Sequence, residues 1–206
     1  PDNQAAVARA GGIEPLVALV ANGRSRAQEQ AAGALGSLGY EHDANQEQIA
    51  NLLVQLLAAP EPLTVAKAAR AVARLARMHA ANQASIARVG GISLLVSLLS
   101  SDGAIHQGRH RRASAAGAGT IGHSSGAHHR GETDQAEMLT EVASALWAMS
   151  ADHPANQSAI AAEGGIEPLI ELLAQTKSPE VHRDAAGALW SLAAAPSNQS
   201  AIAAAH

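Results

Sequence analysis

Between Ile166 and Leu173 apolar side chains fall at Ile166, Leu169, Ile170, Leu172 and Leu173, with Glu167 and Glu171 between them. That spacing gathers the apolar set on one side of an α-helix. A longer pattern follows Lys177-Ser178-Pro179: from Glu180 to about Ala194, a stripe of Ala185, Ala188, Leu189 and Leu192 predicts a second, longer helix. A short apolar segment, Ser158 to Ala162, precedes both and reads as a helix of its own. Gly164-Gly165 separates it from the next, because glycine ends a helix in the left-handed conformation without steric cost. Pro168 fits the first turn of the middle helix, where its missing N–H is not needed. Asn156 is read as the N-cap of the short helix, its side-chain oxygen accepting a free first-turn N–H.

The whole stretch recurs. NQSAIAAEGGIEPLIELL from Asn156 is matched by NQAAVARAGGIEPLVALV from Asn3 and NQASIARVGGISLLVSLL from Asn82, and starts again at Asn45 and Asn198. The Asn-Gln pairs stand 42, 37, 74 and 42 residues apart. The short interval has lost the Gly-Gly connector, Ile49-Ala50 running straight into Asn51-Leu52-Leu53; the long one holds an insertion. One unit of about 42 residues accounts for the chain, a period in the range of helical solenoid repeats. The units are 3–44, 45–81 (shortened), 82–155 with an insertion at about 102–133, 156–197, and a partial unit at 198–206. Third helices are expected near 25–40, 62–79, 134–150 and 180–194.

The patterns NQxAIAxxGGIxPLIxLL and AAGALWSLA resemble the armadillo repeat, of the kind found in vacuolar-protein, catenin and plant armadillo proteins. The resemblance covers the chain apart from the insertion. A two-helix HEAT array is the nearest rival, and the Gly-Gly break argues against it. The resemblance implies an all-α fold, a right-handed α-solenoid of three-helix repeats, with a concave groove lined by the third helices. It also implies a protein-interaction scaffold rather than an enzyme.

Composition adds limits. Only Tyr40, Trp147 and Trp190 are aromatic in 206 residues, while 47% are hydrophobic. A single globular core would use more large side chains, whereas a solenoid packs neighbour to neighbour and alanine lets helices approach. A net charge of −4 argues against general nucleic-acid binding. The absence of cysteine excludes disulfides and thiolate chemistry. No apolar run reaches the ~18 residues of a membrane helix. The reading is intracellular, cytoplasmic or nuclear. The abrupt ends are read as those of a fragment of a longer array, the alternative being a chain whose ends pair with another copy. No catalytic constellation and no cofactor are expected, and no small-molecule substrate.

Chemistry concentrates on one helix. In 65–77, Lys67, Arg70, Arg74 and Arg77 are spaced 3, 4 and 3 and share a face. Alignment sets Arg70 at the place of Gly187 and Arg74 at that of Ser191, positions that the armadillo resemblance turns into the groove. Four cations in an acidic chain point to an extended acidic or phosphorylated partner segment, since arginine pairs carboxylates and phosphates bidentately. A face neutralised by nearby Glu or Asp is the plainer alternative. Trp147 and Trp190, one turn past the Gly187 place, are either partner anchors or inter-helix packing; Arg183 completes the set.

The insertion is Gly/Ala/Ser/His-rich and reads as a disordered loop. His106, His110, His123, His128 and His129 lack the fixed spacing of a metal site, so no metal is expected. Arg111-Arg112-Ala113-Ser114 resembles a basophilic kinase site, making Ser114 a candidate for phosphorylation. His42, His153 and His182 read as solvated. Importin-alpha offers a second function, a cargo adaptor with Trp and Asn at the Gly187 and Ser191 places. Here those places hold Gly33, Arg70, Ser144, Gly187 and Ser37, Arg74, Ala148, Ser191, so the asparagine is missing throughout. A substrate-recognition part of a larger protein, such as a ubiquitin ligase, is a further alternative.

Overall fold

A computed structural model describes residues 2–100, 125–176 and 178–204. All regular structure among them is helical. Repeat one comprises α1 (Asp2–Arg9), α2 (Ile13–Asn22) and α3 (Ser25–Gly39). Repeat two has α4 (Asp43–Leu57) and α5 (Pro62–Met78). Repeat three has α6 (Ala80–Arg88), α7 (Gly91–Ser100) and α8 (Ser125–Ser150). Repeat four has α9 (Pro154–Ala162), α10 (Ile166–Gln175) and α11 (Pro179–Ala193), and α12 (Pro196–Ala204) opens a fifth. One apolar core runs from Ile13 to Leu192 through every repeat.

The glycine connector behaves as its sequence dictates. Gly164 has φ +79°, the left-handed turn that ends α9. Gly165 matters for space: a Cβ there would sit 2.7 Å from Ile160 Cγ2 and 2.9 Å from Ile160 O. The matching pairs turn the chain by 77° between α1 and α2 and by 73° between α6 and α7. Where the pair is deleted the turn vanishes, and α4 is a single 15-residue helix.

The repeated asparagine is not the cap expected from its sequence. α9 begins at Pro154, two residues before Asn156, so that Asn156 lies inside the first turn. The cap is His153, whose Nδ1 accepts from the Asn156 backbone N–H at 3.3 Å; His42 does the same for Asn45. Neither histidine is merely solvated. The residues before them, Glu41 and Asp152, adopt positive φ of 53° and 52° to aim the ring. The asparagine amide donates away from its own helix, to the closing carbonyls of the preceding third helix. Asn45 reaches Leu38 O at 2.8 Å, Asn82 Leu75 O at 3.0 Å, Asn156 Met149 O at 2.8 Å and Asn198 Leu192 O at 3.1 Å. Those carbonyls have no partner within their own helix. The glutamine that follows adds a second clamp, Gln46 to Gly39 O and Gln157 to Ser150 O.

The expected insertion needs a correction at one end. Helix α8 starts at Ser125, not near 134, so residues 125–133 are helix rather than loop. The reason is propagation. The buried Met138–Met149 segment fixes the helix, and each residue added to an existing helix costs little even through Gly126 and Gly131. Residues 101–124, including Ser114, His106, His110 and His123, lie outside the described residues.

The third helices form one layer, α3 against α5, α5 against α8, and α8 against α11. Alanine makes the close approach feasible: Ala66, Ala68, Ala69, Ala71, Ala73 and Ala76 of α5 are all buried. That leaves α5 one edge for polar side chains, which is the cationic one.

Candidate functional site

The cationic edge of α5 meets the neighbouring third helix. Arg70 donates from Nε to Glu141 Oε1 at 2.9 Å and from Nη2 to Glu137 Oε1 at 2.9 Å. A second N–O contact to Glu141 closes to 2.7 Å. Its hydrogen bond to Glu141, then the Glu141 charge and the bond to Glu137, holds the guanidinium above its ordinary pKa against the cost of partial burial. Arg77 donates to Ser144 Oγ at 2.7 Å, and Lys67 to Asn22 Oδ1 at 3.4 Å. Arg74 stands between them with Nη1 shut off from solvent and without a hydrogen-bond partner among the described residues.

The four cations therefore share a face, but their positions differ in kind. Arg70 is neutralised within the array, the plainer alternative stated above for the stripe as a whole. Sequence reasoning missed its two partners, although a signal was present. Glu141 lies three residues, and Glu137 seven, before Ser144, the residue aligned with Arg70, so both face the same way one and two turns along.

The remaining candidates divide similarly. Trp147 packs on the core, and a Cβ on Gly187 would come within 2.7 Å of its indole. Ser191 is buried at 7% exposure. Arg183 projects outward, bonded to the buried Asp184 carboxylate at 2.7 Å, and that bond first of all raises its pKa. Trp190 is 77% exposed. His182 is held by Thr176 O at 2.8 Å rather than free in solvent. Among the described residues no group of His, Cys, Asp or Glu is placed to hold a metal ion, and no single helix is long and apolar enough to cross a membrane.

A model of the armadillo/beta-catenin-like repeat matches residues 1–39 and 153–194, the first and fourth repeats. No curated protein matches the chain. Among solved structures it is similar to an engineered protein at 28% identity and TM-score 0.55, over 92% of this chain and 66% of that one. The chain thus spans just under two thirds of that relative's length. It is also similar to a designed armadillo repeat protein at 19% identity and TM-score 0.59, over 99% and 74% of the two chains. Computationally designed armadillo repeat proteins for modular peptide recognition align at 18% identity and TM-score 0.58, over 100% and 75%. At these identities the last two speak for the fold alone. The chain is thus an all-α solenoid of armadillo type, whose first and fourth repeats match the armadillo repeat family.

Proposed function

We propose that this chain is a non-catalytic scaffold that holds an extended, acidic or phosphorylated partner segment along the layer of third helices. The observation that carries the reading is Arg74. It presents a buried, unpartnered guanidinium N–H on a helix edge whose other charges stay positive after Arg70 is satisfied. An unmet enclosed donor costs free energy, so a turn of the half-buried Arg74 guanidinium that carries this N–H outward to a carboxylate or phosphate gains more than pairing at an exposed arginine. Lys67 and Arg77 flank it, and their present partners, Asn22 and Ser144, are neutral and exchange readily for an anion. Arg183 on α11 is paired with Asp184, so it adds no net charge to this edge. The printed purpose of one set of designed neighbours, modular peptide recognition, agrees with this use of the layer.

A peptide array of acidic, phosphorylated and basic segments tests the reading. Acidic or phosphorylated peptides are expected to bind, and Arg74→Ala to weaken them about tenfold or more. Binding of basic peptides alone would show that Glu137 and Glu141 set the preference, and would overturn it.

A further inference from the structure

Three seams, each joining a third helix to the next repeat, carry the same sequence frame, His-x-x-Asn-Gln, at 42–46, 79–83 and 153–157. The outer two are built alike. Helices α3 and α8 stop at Gly39 and Ser150, a left-handed residue stands two places on at Glu41 and Asp152, and His42 and His153 cap α4 and α9. Side chains also tie the closing carbonyls at both. Gln4 donates to Ser37 O and Tyr40 O, Asn45 to Leu38 O and Gln46 to Gly39 O. Gln83 donates to Ala148 O and Ala151 O, Asn156 to Met149 O and Gln157 to Ser150 O.

The seam between α5 and α6 departs from this pattern. Helix α5 runs to Met78, two residues past the register at which α3 and α8 stop, so Met78 is helical where Glu41 and Asp152 are left-handed. His79 therefore enters α6 extended, at φ −158° and ψ 132°, against −137° and 86° for His42. Its side chain makes no cap. Asn82 N–H turns to His79 O instead, at 3.1 Å, and the imidazole meets the Tyr40 ring with centroids 5.2 Å apart. Gln46 and Gln83, on either side, are both engaged at the outer seams. Among the described residues, the tie from Asn82 to Leu75 O at 3.0 Å is the one side-chain bond that the closing carbonyls of α5 receive.

We propose that this middle seam is a two-state hinge. In its second state α5 ends at Ala76, Met78 takes the left-handed step, and His79 turns from Tyr40 to cap Asn82 N–H as its counterparts do. Opposed preferences keep the two states close. Methionine favours the helix and resists positive φ, whereas a capped α6 gains the bond that the outer seams already have. The Asn82–Leu75 tie spans the same seven residues as Asn45–Leu38 and Asn156–Met149, so it holds in both states and acts as the pivot. What the hinge moves is Arg77. From the last turn of α5 its Nη2 donates to Ser144 Oγ of α8 at 2.7 Å. In the second state Arg77 stands past the helix end, at the place of Tyr40 and Ala151, and that bond is given up. The hinge thus sets whether one end of the cationic edge is fixed or free, whatever segment the edge holds.

Nuclear magnetic resonance of the full chain, with no peptide added, tests the hinge. The Ser144 amide is the reporter, because it senses Arg77 and lies far along the chain from the substitutions. Met78→Gly removes the steric cost of positive φ and is expected to move the population about tenfold toward the capped state. His79→Ala removes the cap and is expected to move it the other way. The native chain, holding both states, should therefore place its Ser144 resonance between those of the two variants. The double variant is expected to fall back toward His79→Ala. Circular dichroism checks that each variant folds, and Met78→Asn, which also tolerates positive φ, stands in for Met78→Gly where that chain does not. A Ser144 resonance unmoved by either substitution, or displaced the same way by both, overturns the proposal.

Discussion

Asn156 has the side chain of a helix cap and the position of a tie between repeats. The two roles make opposite demands on it. A cap needs an acceptor, so Asp or Ser serves as well as Asn. A tie to Met149 O needs a donor, which Asp lacks. Asn156→Ala is expected to cost about 1–2 kcal/mol in urea unfolding, and Asn156→Asp about 3 kcal/mol, because a carboxylate would then face a buried carbonyl. Equal stability of the Asp variant and the native chain would restore the cap. Gly165→Ala makes a complementary case: its Cβ strikes the backbone carbonyl of Ile160, and a loss of about 1–3 kcal/mol is expected in the same measurement. The glycine pair was legible in the sequence because conformation and spacing both follow from having no side chain. The asparagine's role was not, since Asn-Gln before an apolar run looks the same whether the amide turns inward or outward.

At the level of elements, the sequence placed the third helices well where one apolar stripe coincided with one helix. It misplaced the start of α8, because Gly and His composition says little about whether an anchored helix extends. Deletion of a connector was readable at Ile49-Ala50, and α4 runs straight as a result. What composition cannot convey is pairing across helices. Arg70 looked available until α8 supplied Glu137 and Glu141. A double-mutant cycle of Arg70→Ala with Glu141→Ala is expected to give a coupling of about 1 kcal/mol, modest because both groups keep some contact with solvent. A coupling near zero would return Arg70 to the free cations. The N-terminus of α11 has its own pH signature. Ser178 caps Val181 and donates to Glu180 at 2.8 Å, and that bond is the main reason the Glu180 carboxylate lies below its ordinary 4.5. A lowered folded pKa adds stability that is present above the ordinary value and fades as pH falls through the lowered one. Glu180→Gln is expected to remove that small acid-side slope in thermal unfolding, lowering stability slightly near neutral pH and leaving it matched to the native chain at low pH, where the carboxyl is protonated.

Across the whole molecule, each repeat contacts its neighbours and stability sums over junctions. The Trp147–Gly187 junction is one of these, and Gly187→Ala is expected to push the indole aside at about 1–2 kcal/mol. The layer of third helices then offers one continuous surface, built from side chains that the core has no use for. Its positive edge was visible as a spacing in the sequence. Its division into a neutralised Arg70 and an unmet Arg74 depended on the neighbouring helix. The most direct test of the scaffold account is a nuclear magnetic resonance titration with a phosphorylated acidic peptide. The account predicts shifts gathered on α5, α8 and α11, led by the Arg74 side chain and absent in Arg74→Ala. Shifts gathered instead on α2 and α10, or unchanged by Arg74→Ala, would contradict it.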